Sequence, residues 1–323
     1  MRGHSQTGFL CVLSLALSLF LNKKKSEKQV SIEQYIEKMG KLVFVQPQQL
    51  AEIKKASPDL SLFLERVKKP LLLAAFPKSG SSFTRRVMVQ LTKAQTVRLS
   101  YYYGTSEQEL YFPYCIANLG QNRFTQMHLR ASDAALMILN FLNIKPVVLV
   151  RNIFDVIVSY ADFYESLYQR YNESPDTLMK TNDGWFKLPT GHDLYVDEPF
   201  FELSRSQRID LIIENMLPWY FNFYLSWKKA IATKSIDALW LNYQDMLDDD
   251  NAFIQRISTH QGLSFTKDQI VQAIAAVKAN ERGSRLNVGV SGRGLSSLSS
   301  EQIQRIRHLA SLYSWADFSD IGL

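Results

Sequence analysis

Residues 70–83 read PLLLAAFPKSGSSF, and this stretch decides the fold. Its first half, Pro70 to Phe76, is a short apolar run with no polar alternation, which predicts a strand covered on both faces. The turn Pro77-Lys78-Ser79-Gly80-Ser81-Ser82 follows at once, and Phe83 to Leu91 then takes up a helical pattern. The same order recurs at Lys145 to Val150 (KPVVLV), which passes through a polar turn into a helix from Phe154 to about Tyr168. A third unit, Ala238-Leu239-Trp240-Leu241, feeds Tyr243 and another helical region. Strand, turn and helix three times over predict an α/β fold: a P-loop-like parallel sheet flanked by helices on both faces, in a single domain. In such sheets ligands gather at the carboxyl ends of the strands.

Outside these units the pattern predicts helices over Ser31–Met39, from near Pro47 to a break at Pro58, and over Leu60–Val67. Further helices are expected over Ala131–Leu142, Ser204–Asn215, Pro218–Ala232, Asn251–His260 and Lys267–Lys278. The last runs from Ser299 to Tyr313, with Ser299 as N-cap and Gln302 completing a capping box. The polar stretch from Asn172 to Pro199 holds Pro175, Gly184, Pro189 and Gly191, and its length points to a lid, a binding loop or disorder. There is no internal repeat, so residues 31–323 read as one domain behind a tail or anchor at residues 1–30.

The chain has 323 residues, 46% hydrophobic and 21% charged, which excludes a disordered, collagen-like or disulfide-scaffold protein. Its net charge is +6, but residues 1–30 alone carry +4 through Arg2, Lys23, Lys24, Lys25 and Lys28 against Glu27. With so little excess left on the body, a nucleic-acid partner is not expected. Two cysteines, Cys11 and Cys115, give no structural disulfide, because Cys11 lies in an apolar N-terminal run. That run, Gly8 to Leu21, has 14 residues and would span about 21 Å as a helix, short of a hydrocarbon core of about 30 Å. No small-residue cleavage site precedes the lysines. Peripheral anchoring through residues 8–25, a vestigial signal and a loose tail stay open. The downstream lysines favour a cytoplasmic body, with a membrane-anchored lumenal domain as the alternative. Asn172-Glu173-Ser174 precedes Pro175 and is read as ordinary loop sequence.

The first strand-turn-helix has the shape of an anion site. Ser79, Gly80, Ser81 and Ser82 bring backbone N–H groups and hydroxyls to a helix N-terminus, and Lys78 adds a point charge. A merely capped turn is the plainer alternative. It is not a Walker A loop, since Lys78 precedes Gly80 instead of following a second glycine. Arg151 ends the second strand where a magnesium-dependent NTPase usually places Asp. Arg151 and Ser159 together suit a phosphate, whereas Arg151 taken alone is better explained as a partner of Asp155.

These residues resemble a known family. AFPKSGSSF at 75–83 is similar to the 5′-phosphosulfate loop of sulfotransferases that use 3′-phosphoadenosine 5′-phosphosulfate (PAPS), and RNIFDVIVS at 151–159 resembles their 3′-phosphate motif, R-N-x-x-D-x-x-x-S. The resemblance covers about residues 70–315. It implies that His128, in FTQMHL between the two motifs, is the catalytic base, the role best matched to imidazole near neutral pH. His4, His192, His260 and His308 are read as structural. The family's lysine two residues before the base is Gln126 here. Phe83 matches an aromatic position that stacks on adenine, and Tyr243 matches another residue near the base, though both suit core aromatics equally. RLNVGVSGRG at 285–294 resembles the family's R-K-G-x-x-G loop; aligned on Gly289 and Gly292, its Arg and Lys become Asn287 and Val288, leaving Arg293 or Arg285 to supply the charge.

The implied chemistry is in-line transfer of a sulfuryl group from PAPS, as co-substrate, to a hydroxyl or amine of a small-molecule, lipid or sugar acceptor, with no metal required. Lys78 and the Ser79–Ser82 amides would steady the leaving phosphate. Two other classes stand beside it: an ATP-dependent small-molecule kinase, and a non-catalytic nucleotide-binding module. Tyr101-Tyr102-Tyr103 and the segment Leu110 to Tyr114 offer aromatic walls for an acceptor pocket or for the core.

Overall fold

The computed structural model of the protein describes residues 58–100, 108–173, 179–180, 186–187, 195–196, 203–280 and 291–323. The tail, the helices expected at 31–39 and near Pro47, Tyr101–Tyr103, His192 and residues 281–290 lie outside the described residues. Helix α1 (Pro58–Arg66), expected over Leu60–Val67, begins at Pro58, since a first-turn position has no N–H bond to lose. It leads into β1 (Leu71–Ala75), α2 (Ser81–Thr92), β2 (Gln95–Thr96), α3 (Phe112–Ala117) and β3 (Arg123–Met127). Then come α4 (Asp133–Leu142), β4 (Val147–Val150) and α5 (Ile153–Glu173). Three two-residue strands, β5 (Met179–Lys180), β6 (Phe186–Lys187) and β7 (Tyr195–Val196), pair antiparallel within the stretch expected to be a loop. The chain continues through α6 (Arg205–Ala232), β8 (Leu239–Asn242), α7 (Tyr243–Asp248), α8 (Asp250–His260), α9 (Lys267–Ala279), α10 (Arg293–Ser297) and α11 (Ser300–Ser311).

The main sheet has five parallel strands in the order β2-β3-β1-β4-β8. Strand β1 is central because it can be dry on both sides. Leu72 and Ala74 enter a larger core with α4, α5 and α6, while Leu73 and Ala75 enter a smaller one with α2, α8 and α9. Val148 and Val150 of β4 divide from Val147 and Leu149 in the same way. That two-sided burial is what the unbroken apolar runs encode. β2 and β3 were not expected as strands: β2 is two exposed polar residues, and RFTQM mixes charge and amide with only Phe124 and Met127 as apolar anchors.

Pro218 does not divide the helix it was expected to divide. α6 runs through it for 28 residues, losing one backbone hydrogen bond to the missing N–H. Met216, Leu217, Tyr220, Phe221, Phe223, Tyr224 and Trp227 are all buried around it, and their packing outweighs a proline cost of about 3 kcal/mol. The capping box at Ser299 and Gln302 forms as the sequence indicates.

One core group is poorly served. Thr125 of β3 is wholly buried opposite Leu72, and its hydroxyl has no hydrogen-bond partner among the described residues. Thr125→Val is therefore expected to raise stability by about 1 kcal/mol, seen as a higher denaturant midpoint at unchanged slope. A lower midpoint would mean that the hydroxyl is satisfied in solution.

Candidate active site

Chain order places β3 and β4 on opposite sides of β1, so the direction of winding reverses there and a crevice opens at the carboxyl ends of the strands. The turn after β1 lies in it. The Phe76 amide donates to the Leu149 carbonyl at 2.9 Å, which continues the β1–β4 pairing for one more residue. The Phe76 ring is locked against Tyr220 and Phe223 of α6, at 4.9 and 5.0 Å between centroids. The Ser79 hydroxyl, fully buried, donates to the Phe76 carbonyl at 2.6 Å and closes the turn.

Two residues of this turn have left-handed backbone, Lys78 (φ 66°) and Gly80 (φ 85°). Gly80 is also a requirement of space, since a Cβ there would stand 2.8 Å from Met246 Cε and 2.9 Å from the Tyr243 ring. With Gly80 as N-cap, α2 receives no side-chain cap. Its first intrahelical bond runs from the Thr84 amide to the Gly80 carbonyl at 3.1 Å, so the amides of Ser81, Ser82 and Phe83 precede the helical ladder. An anion is the natural partner for such donors. Ser81 Oγ accepts from Gln126 Nε2 at 2.8 Å, which leaves the hydroxyl hydrogen available to donate elsewhere. Lys78 Nζ lies 4.5 Å from the centre of the Phe163 ring on α5.

His128 follows β3 directly, beside the end of β1. Its amide donates to Gln108 Oε1 at 2.7 Å, and its Nδ1 lies 2.7 Å from the Ala75 carbonyl oxygen. A carbonyl can only accept, so Nδ1 carries the proton and Nε2 is the basic nitrogen of the neutral ring.

Arg151 closes the other side, at the end of β4. Its Nη1 donates to the Lys78 carbonyl at 3.0 Å, its guanidinium lies over the Tyr243 ring at 4.1 Å, and Asp155 Oδ2 stands 3.8 Å away. Burial pulls the Arg151 pKa below its ordinary value and the charge of Arg293 adds to that, while Tyr243 and Asp155 oppose it. Tyr243, itself raised by burial, supports both Arg151 and the Gly80 backbone. Ser159 lies buried on α5, two turns beyond Arg151. Arg293, the first residue of α10, pairs with Asp162 of α5. Burial raises the Asp162 carboxyl, but hydrogen bonds from Arg205 and Arg293 outweigh this and leave it below its usual range.

The structure thus gathers the 77–82 turn, His128, Arg151 and Tyr243 at the ends of four neighbouring strands, with Arg293 within electrostatic reach of Arg151. Phe83, like Tyr243, is buried in the smaller core, together with Val87 and Met88. Gly289 lies outside the described residues, as do Arg285, Asn287 and Val288. Cys115 is a buried free thiol whose pKa burial pushes up to about 12, so it is inert. Sequence alone did not single out Gln108 or Asp162, nor the use of Gln126 and Asp155, because their partners are distant in the chain. Among the described residues no helix is long and apolar enough to cross a membrane.

The 77–82 turn with its uncapped helix start, the Arg151 guanidinium and the oriented His128 imidazole thus stand at the carboxyl ends of neighbouring parallel strands, an arrangement of the α/β sheet class. The family is more specific. Residues 68–284 match the sulfotransferase domain, and the chain belongs to that family. The crystal structure of mouse sulfotransferase SULT7A1 complexed with PAP (3′-phosphoadenosine 5′-phosphate) is similar with a TM-score of 0.51 and 17% identity, over 78% of this chain and 87% of that one. Retinol dehydratase in complex with androsterone and inactive cofactor PAP aligns at 0.48 and 14% identity, over 75% and 79% of the two chains. A search of curated proteins by sequence finds no match.

Proposed function

We propose that the protein transfers a sulfuryl group from PAPS to a hydroxyl or amine of a small-molecule, lipid or sugar acceptor. One observation carries the reading: the Arg151–Lys78 hydrogen bond ties the two family motifs together, so that a single ligand can meet both. Membership of the sulfotransferase family and the likeness in fold to a PAP-bound enzyme support the choice of donor.

In this scheme the amides at the start of α2 and the Lys78 ammonium hold the 5′-phosphosulfate, and Arg151 with Ser159 holds the 3′-phosphate. His128 Nε2 takes the acceptor proton as the acceptor oxygen or nitrogen bonds to sulfur. The sulfur–oxygen bond to the 5′-phosphate breaks, and PAP leaves with its new charge on the α2 amides and Lys78. The Ala75 carbonyl steadies the imidazolium that results, because Nδ1–H already points at it. Tyr243 acts by supporting Arg151, and Phe83 by anchoring α2 to the smaller core. Radiolabelled PAPS offered with phenols, steroids, sugars and amines tests the reading. Label transferred to one acceptor class is expected; PAP binding with no transfer across the panel would favour a binding module instead.

Gly80→Ala is expected to weaken PAP binding at least about tenfold, because the left-handed backbone and the Tyr243 contact both resist a side chain. Calorimetry on the variant checks this, and unchanged affinity would free the turn from its phosphate role.

A further inference from the structure

Asp155, Ser159 and Asp162 stand at i, i+4 and i+7 of α5 and share one face of the helix. The segment from Ser291 to Gly294 lies against that face. Asp155 is fully buried; its Oδ2 accepts from the Gly292 amide at 2.9 Å and the Ser291 hydroxyl at 3.3 Å, and its Oδ1 accepts from the Gly294 amide at 2.8 Å. Its contact with Arg151 is looser, at 3.8 Å. The carboxylate expected to serve Arg151 therefore gives its best bonds to backbone from 137 and 139 positions further along the chain. Gly294 sits so close that a Cβ would lie 2.3 Å from the Phe154 carbonyl carbon. Between the two tethered amides stands Arg293, whose guanidinium Asp162 holds. Burial and, to a lesser degree, the charge of Arg293 lower the Arg151 pKa, so the two cations lie within electrostatic reach of one another, and an anion bound between them would relieve that repulsion.

We propose that Asp155 is a positioning residue for the donor's 3′-phosphate. It fixes residues 291–294 on α5 so that Arg293 supplies, beside Ser159 and together with Arg151, the cationic contact that Asn287 and Val288 lack. This rests on the reading of Arg151 and Ser159 as the 3′-phosphate end. The Asp155 carboxylate gives its short bonds to the two amides and its longer contact, 3.8 Å, to Arg151. Asp155→Asn keeps the shape but turns an NH2 group toward one of the two amides, releasing that tether.

PAP and adenosine 5′-monophosphate, which lacks only the 3′-phosphate, are titrated calorimetrically into the wild-type protein, Asp155→Asn, Arg293→Ala and the double variant. Each single variant is expected to weaken PAP about tenfold and to leave the monophosphate within about twofold. The double variant is expected to match the singles, because Asp155 acts through Arg293. Equal losses for both nucleotides, losses that multiply in the double variant, or no loss of PAP would overturn the role of Asp155. A wild-type protein that binds both nucleotides equally would overturn the 3′-phosphate reading itself. If Asp155→Asn does not fold, Gly292→Ala takes its place. Gly292 has φ 85° with open space where a Cβ would go, so the change strains only the segment's backbone. It carries the same expectation of PAP weakened and monophosphate spared, and failure of that pattern counts against the proposal.

Discussion

Replacing His128 with Ala is expected to lower turnover about a thousandfold, with the affinity for PAP nearly unchanged. The size follows from the work assigned to the ring. General-base catalysis by a positioned side chain contributes about 10² to 10⁴ in rate, and a thousandfold loss corresponds to about 4 kcal/mol of transition-state stabilisation. The sparing of PAP follows from the site's layout, since the imidazole is bonded to the Ala75 carbonyl and belongs to none of the phosphate-facing groups. The measurement is single-turnover transfer from PAPS alongside calorimetry with PAP. His128→Ala with full turnover would remove the residue from its role. Loss of turnover and PAP affinity together would make it part of the nucleotide cradle.

Arg151→Ala should give the opposite split. PAP affinity is expected to fall about a hundredfold, read by calorimetry, while the rate of transfer at saturating PAPS falls far less. A hydrogen bond to a charged partner contributes about 1.5 to 3 kcal/mol, and Arg151 supplies a planar fork as well as charge. It also bonds to the Lys78 carbonyl, so some loss at the 5′-phosphate end is included in that figure. Arg151→Lys keeps the charge without the fork and is expected to recover only part of the affinity. Recovery to the wild-type value would show that charge alone matters there; no loss in the Ala variant would reduce Arg151 to a structural partner of Asp155 and Tyr243.

The contrast between these two residues reflects how the site is written into the chain. The turn at 77–82 and the Arg151–Ser159 helix were legible because each is local: a buried strand, a turn of small polar residues and a helix start, in that order. The sheet was legible where strands are dry on both faces, at Leu71–Ala75 and Val147–Val150. It was not legible at Arg123–Met127, where one face carries Gln126 toward Ser81 and the apolar signal is halved. The unbroken helix across Pro218 was hidden for a related reason, because local chain stiffness lost to packing by residues such as Tyr220 and Trp227.

Long-range polar contacts were the least readable part. Nothing near Asp155 in sequence announces Gly292 and Gly294, and nothing near His128 announces that Gln108 bonds to its amide or that Ala75 fixes its tautomer. Such contacts exist only once the sheet order brings the strand ends together. The glycines are the trace they leave, since Gly80 and Gly294 are each required by a neighbour from another part of the chain.

A crystal structure with PAP bound tests the central claim most directly. The account predicts the 5′-phosphate on the amides that open α2, the 3′-phosphate within hydrogen-bond reach of Arg151 and Ser159, and His128 Nε2 facing the space beyond the 5′-phosphate. A nucleotide bound in the reverse direction, or on another surface of the sheet, would contradict it.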